Sequence, residues 1–376
     1  MSSSAGLRNT SEDMKVLHVT SGIDPKSGGP TRSVKGLCRA LSQSGVHVSL
    51  LVLRGEHEFD NPCGVNVIRR QVSDLAQFDL VHLHGLWNPG LHGVASGCRK
   101  KGIPYVVSPR GMLDPWALSV KRWKKMLALF LYQRRDLKWA AAFHATAEAE
   151  AGHIRDSGFY QPCIIAPNAV DIPNEMPRRN QNPNLKTALF LSRLHPGKGL
   201  LSLADAWASV KPQGWRMVIV GPDSYGHKAE VVKRLDSLGI IHDWVFKDAM
   251  DDSRKWEAYR SADLLVHPSV SENFGITIVE GLAAELPVIT TKGTPWSELE
   301  ARHCGWWIDI GVEPLAKAFA EAIALTDEKR HEMGIRGRKL VDEKYTWDAV
   351  VKAMVKGYEK VLGIEDYSDK VHPSES

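Results

Sequence analysis

Short apolar runs of strand type alternate with helix-period segments twice along this chain, and a stretch rich in proline and asparagine separates the two series. The first series of strand-like runs is 16–19, 46–53, 65–69, 79–84, 105–108, 141–145 and 163–166. The second is 187–191, 216–220, 244–246, 264–267, 287–290 and 306–308. Strands linked through helices specify a parallel sheet covered on both faces. Segment 172–184 shows neither period and reads as a linker. A chain of 376 residues also exceeds what one core of about 250–300 residues accommodates. The expectation is an α/β protein of two Rossmann-like domains whose parallel sheets face each other across a cleft. Its bounds are a tail at 1–12, a first domain at 13–171, the linker at 172–184 and a second domain at 185–346. A terminal helix at 347–362 and a tail at 363–376 complete the chain.

Composition narrows the class. Hydrophobic content of 43% and charged content of 24% are those of a globular protein in water. Five scattered cysteines (Cys38, Cys63, Cys98, Cys163, Cys304) lack metal-ligand spacing and read as reduced thiols of a cytoplasmic protein. The start is polar and serine-rich, without the apolar stretch of a signal peptide. No run is long enough for a membrane span. The net charge of +4 has its excess in the first half, partly in 119–139, where seven basic residues meet one acid. There Val120, Trp123, Leu127, Phe130 and Leu137 fall near one helical stripe. Two readings stay open: a basic helix lying on an anionic membrane, or an ordinary helix packed on a sheet with solvated lysines. Nucleic acid is not expected as a partner, because no recognition motif accompanies the charge.

Several places carry chemistry. In 271–280, Glu272 precedes a Phe-Gly helix start and Glu280 lies about two turns inside the helix. The amides near Asn273, Phe274, Gly275 and Ile276 open that helix, and a helix N-terminus attracts phosphate. Carboxylates accept hydrogen bonds from vicinal hydroxyls, so the segment describes a pocket for a phosphorylated sugar. The Ser27-Gly28-Gly29-Pro30 turn sits between a strand and a helix, where glycine lets backbone amides approach a phosphate. It lacks the dinucleotide-binding glycine fingerprint. His84 closes a strand whose end faces the ligand crevice of an open sheet, while His82 points to the opposite side from Leu83 and reads as core.

The two glutamates and their flanks resemble the E-x7-E signature of family-4 glycosyltransferases, retaining enzymes of the GT-B fold. The resemblance covers most of 14–362 and is strongest from Leu189 to Glu298. It implies that Glu272 binds donor-sugar hydroxyls, that Glu280 binds the nucleotide ribose, and that Gly28 and Gly29 close over the diphosphate. Ser192-Arg193-Leu194 to Lys198-Gly199 is similar to the family's G-R-L-x-x-x-K-G motif, with Ser192 in place of glycine. Arg193 and Lys198 would then neutralise the leaving diphosphate. His84 would lie beside the transferred sugar. Ser108-Pro109-Arg110-Gly111-Met112 departs from the commoner His-Gly, and its Pro-Arg-Gly-Met-Leu run resembles bacterial exopolysaccharide and lipopolysaccharide enzymes, which makes Arg110 a candidate contact for an acceptor phosphate or sugar. Thr294 to Glu298 and Pro167 to Asp171 resemble structural elements of the family.

The implied reaction moves a sugar from a nucleotide diphosphate donor to a saccharide or lipid-linked saccharide hydroxyl, with retention. No cofactor and no metal are expected, since Arg193 and Lys198 supply the charge and no Asp-x-Asp pair is present. Epimerase or phosphorylase chemistry on the same fold, or a non-catalytic relative, are the alternatives.

Overall fold

The computed structural model describes residues 13–23, 29–54, 64–69 and 72–364, except 73, 121, 180, 181 and 183. Two compact units partition the chain, one of 1–169 with 347–376 and one of 170–346. The first carries β1 (Lys15–Thr20), β2 (His47–Val52), β3 (Asn66–Arg69), β4 (Leu80–His84), β5 (Tyr105–Ser108), β6 (Ala142–Ala145) and β7 (Cys163–Ile165). They lie in the order β3-β2-β1-β4-β5-β6-β7, every pair parallel. The second unit carries β8 (Lys186–Leu191), β9 (Trp215–Val220), β10 (Trp244–Lys247), β11 (Leu264–His267), β12 (Val288–Thr291) and β13 (Gly305–Ile308). Their order is β10-β9-β8-β11-β12-β13, again all parallel.

Each sheet is buried on both faces because successive side chains point opposite ways. On β1, Val16 joins one apolar cluster while Leu17 and Val19 join the other. Helix Gly29–Gln43 buries Val34, Leu37 and Leu41 as its period predicts, and Gly45 in the left-handed region (φ 96°) lies just past its end. Both sheets reverse winding direction once, between β1 and β4 and between β8 and β11. Loops leaving the carboxyl ends of the strands at such a point form the ligand crevice of an open α/β sheet.

Helix Trp347–Leu362 packs within the first unit, where its Trp347 ring lies so close to Gly36 that any Cβ there would come within 2.1 Å. The stretch expected as a linker packs against the second unit through Ile172 and Met176.

The basic stretch 119–139 is not one helix. It breaks into Pro115–Ser119, Arg122–Ala128, a π-turn at Leu129–Gln133 and Arg134–Lys138. The break starts at Val120, whose extended backbone (φ −72°, ψ 123°) stops the first piece. The extra residue of a π-turn rotates the helical positions beyond it, so Leu137 is fully buried while Trp123 (69%) and Phe130 (86%) are exposed. The stripe expected to run along one face is therefore divided. Lys121 lies outside the described residues. No helix among the described residues is long and apolar enough to cross a membrane.

Candidate functional site

In the second unit the loops after β8 and β11 are stitched together at the reversal point. Val270 N–H donates to Gly197 O (2.9 Å), and the Ser269 hydroxyl donates to the same oxygen (3.1 Å). Gly199 makes this approach feasible: it adopts φ 75°, and a Cβ would sit 2.1 Å from Pro268 O. As a result Lys198 and Glu272, 74 residues apart, form a partly buried ion pair through Lys198 Nζ and Glu272 Oε1. His267 Nε2 donates to the same oxygen at 2.9 Å. Burial alone would raise the Glu272 carboxyl, but the His267 hydrogen bond and the Lys198 charge overcome it and bring it down to about 2. Burial lowers His267 despite that contact, so its ring is neutral and carries its proton on Nε2. Glu272 Oε2 accepts no hydrogen bond from the described residues and is open to a hydroxyl donor. Arg193 is exposed in the same loop.

Glu280 sits in the same unit but is held differently. It is buried in helix Ile276–Ala283, with Oε1 taken by Lys255 Nζ (2.7 Å) and Oε2 by the Tyr259 hydroxyl (2.8 Å). Each carboxylate oxygen retains a second lone pair for a hydroxyl. Burial opposes the Lys255 charge, yet Glu280 and Asp252 keep its pKa above the ordinary lysine value. Lys255→Met should cost about 3–5 kcal/mol, the cost of stranding a buried charge. Adding Glu280→Gln to that variant should recover part of the loss in urea unfolding. An unchanged midpoint for the single variant would show that the pair contributes nothing.

Asn273 lies in the loop before this helix, and Gly275 (φ 81°) opens it so that the amides of Ile276 and Thr277 begin its first turn. Phe274 offers only its backbone: its ring is buried against Trp296 and Tyr345, and its carbonyl accepts from Trp296 Nε1 at 2.5 Å.

In the first unit, β1, β4 and β6 bring His18, His82, His84 and His144 into one buried cluster. Arg110, in the left-handed region (φ 56°) just beyond β5, donates to His84 Nδ1 at 3.1 Å, to Asn168 Oδ1 at 3.0 Å and to Ser33 Oγ at 3.1 Å. Guanidinium can only donate. His84 therefore carries its proton on Nε2 and donates it to His18 Nδ1 at 2.9 Å. His82 Nδ1 meets the Tyr358 hydroxyl at 2.6 Å. His84 is thus a buried member of a network with both nitrogens engaged. Burial, the Arg110 charge and mutual repulsion push His82 and His84 well below the usual histidine range, and His18 and His144 down to about 3. Ring nitrogens of His18, His82 and His84 lie within 4.8 Å of one another. A divalent cation fits them poorly, since Arg110 already takes one His84 lone pair and places a positive charge beside it.

Gly28 lies outside the described residues, and Gly29 is the first residue of its helix. The structure thus joins Lys198 to Glu272 and His84 to Arg110, and places Glu280 in a separate buried contact. His267, Lys255, Tyr259, His18 and His144 were missed from sequence. His267 ends β11 as His84 ends β4, so the strand-end argument used for His84 would have found it.

Two parallel-sheet Rossmann-like units place the chain in the GT-B class of α/β proteins. Two family descriptions match in succession: "Glycosyl transferase 4-like domain" over 28–169 and "Glycosyl transferases group 1" over 171–340. The chain belongs to the group 1 glycosyltransferase family. It is 29% identical to a GDP-mannose-dependent alpha-mannosyltransferase of Mycolicibacterium smegmatis, over 76% of this chain and 74% of that protein. It is also 29% identical to the phosphatidyl-myo-inositol mannosyltransferase of Mycobacterium leprae, over 54% of this chain. That match covers 56% of the relative, so the chain spans about half the length of several curated relatives it matches. Among solved structures, sucrose-phosphate synthase from Thermosynechococcus elongatus superposes with a TM-score of 0.76 at 15% identity, over 94% of this chain and all of that one. Anabaena HepE in complex with UDP and glucose gives 0.72 at 18% identity, over 92% of this chain and all of that one.

Proposed function

We propose that this protein is a retaining glycosyltransferase that moves a sugar from a nucleotide diphosphate donor to a saccharide or lipid-linked saccharide hydroxyl in cell-surface polysaccharide synthesis. The observation that carries the reading is the Lys198–Glu272–His267 cluster at the β8/β11 reversal point, with exposed Arg193 in the same loop. Without donor, Lys198 and Glu272 neutralise each other. Donor binding exchanges that contact: Lys198 turns to the diphosphate, and Glu272, still held by His267, accepts from sugar hydroxyls.

The bond from the anomeric carbon to the diphosphate oxygen breaks, and a bond from that carbon to the acceptor oxygen forms on the same face. A leaving phosphate oxygen takes the acceptor proton. Arg193 and Lys198 bind the departing charge more strongly than the ground state, which is what lowers a barrier. The Lys255-anchored Glu280 is the ribose contact. The M. smegmatis and M. leprae relatives, named for mannosyl transfer, support the donor class. Thermal stabilisation by UDP-, GDP- and dTDP-sugars, then turnover in excess EDTA, tests the reading. Stabilisation by one donor class and EDTA-resistant turnover are expected; no stabilisation by any donor would refute it.

The exposed apolar residues of the broken basic segment, among them Trp123, Met126, Leu127 and Phe130, support peripheral binding to an anionic leaflet. Each Lys or Arg near such a surface adds about 1 kcal/mol. Changing Lys121, Arg122, Lys124 and Lys125 together to Gln should abolish flotation with anionic vesicles and leave neutral vesicles unchanged. Equal flotation of both proteins would remove the membrane from the account.

A further inference from the structure

A groove of about 410 Å³ opens in the first unit, walled by Trp87, Leu113, Leu118, Met126, Leu129 and Phe159. That volume is in the range of small-ligand sites. Its two ends differ in chemistry. Leu113 and Phe159 are buried apolar floor, whereas Ser119 and Arg122 are exposed and Lys125 is half-exposed at the rim.

The groove is built in part from the loops that follow His84 and Arg110. Trp87 lies three positions after His84, and Leu113 three after Arg110. Trp87 is held in the left-handed region (φ 66°). Its N–H donates to Gln133 Oε1 at 2.8 Å, and its carbonyl accepts from the Tyr132 hydroxyl at 3.0 Å. Both partners come from the π-turn, which also turns Phe130 and Leu131 outward. The Trp87 indole N–H is buried with no partner among the described residues.

Resting on the acceptor class proposed above, we infer that this groove is a binding site for the hydrocarbon chain of an amphiphilic acceptor whose phosphate is held at Arg122 and Lys125. Charge and shape agree on this occupant. Lys125 Nζ already donates to Ala117 O and keeps its other two protons for a ligand, as Arg122 keeps its guanidinium; an uncharged apolar ligand would leave these donors unanswered, and a soluble saccharide would leave the apolar walls unfilled. The loops after His84 and Arg110 then supply the groove walls through Trp87 and Leu113, so the chain is held close in sequence to Arg110, the candidate acceptor contact.

The test is calorimetric titration of the full chain with octyl, decyl and dodecyl phosphate and with farnesyl phosphate, each below its micellar concentration. Affinity should rise about fourfold per added methylene while the chain stays inside the groove. Decyl maltoside, with the same chain and no charge, should bind at least tenfold more weakly than decyl phosphate. Tighter binding of farnesyl than of dodecyl phosphate would assign an isoprenoid chain, the reverse an acyl chain, and either supports the site. Leu129→Trp fills the groove from within. Ser119→Trp fills it from the exposed rim and leaves the core alone, so it serves if the first variant folds poorly. Each should weaken dodecyl phosphate at least tenfold while flotation on anionic vesicles is kept.

Equal affinity for octyl and dodecyl phosphate, or wild-type affinity in the folded filled variants, would overturn the inference. So would self-association of the wild type that Ser119→Trp abolishes, because the groove would then hold a second copy. Donor stabilisation measured on the same sample separates the outcomes. Chain-length dependence without donor stabilisation keeps the groove and removes the transferase reading; the reverse removes the groove alone.

Discussion

Lys198→Ala should slow turnover by about a hundredfold or more, the scale of losing one preorganised charge-stabilising group. Arg193→Ala should do the same, and the two variants separate two roles. Lys198 is paired with Glu272 in the donor-free protein, so its removal also frees the carboxylate that His267 alone then holds. Arg193 is exposed, so its loss should leave the resting site unchanged. Both should lower kcat at saturating donor. Lys198→Ala should in addition raise the Glu272 pKa from its value of about 2, visible by carboxyl NMR. Near wild-type kcat in both folded variants would refute the leaving-group assignment.

Mild acid should destabilise the first unit. His18 and His144 are neutral in the folded protein, with values brought down to about 3 first by burial, and then chiefly by repulsion from His144 for His18 and from Arg110 for His144. In the unfolded chain each binds a proton below about pH 6.5. Their contribution is therefore fully present above that value and is lost as pH falls toward 3. Between pH 7.0 and 5.5 each ring accounts for about 1 kcal/mol and the pair for about 2–3 kcal/mol, on a scale of 1.36 kcal/mol per pKa unit. His82 and His84 act in the same direction. For a unit of this size that corresponds to a fall in Tm of roughly 5–10 °C. Calorimetry at pH 7.0 and 5.5 reads it, and a flat transition for the first unit would show that the cluster titrates normally.

The two series of alternating runs carried the architecture. Period records which face of a segment is buried, and thirteen strands with that pattern leave few arrangements other than two parallel sheets. Local logic pointed to His84, Glu272 and Glu280 through a strand end and a helix start visible in a single stretch of sequence, whereas Arg193 and Lys198 were reached only through the resemblance to the G-R-L-x-x-x-K-G motif.

What partners those residues have was not legible there. Lys198 meets Glu272 only because Gly199 passes beneath Pro268 without a Cβ. Lys255 and Tyr259 drew no expectation from sequence, and only the packing of helix Asp252–Arg260 turns both onto Glu280. His82 and Tyr358 touch across 276 positions. The basic stretch kept its helical period yet broke, since the π-turn that grips Trp87 answers to β4 and not to its own sequence. Local pattern fixes burial and element type for each segment by itself. Which segments become neighbours depends on strand order and close backbone approach, and those are settled only when the whole chain packs.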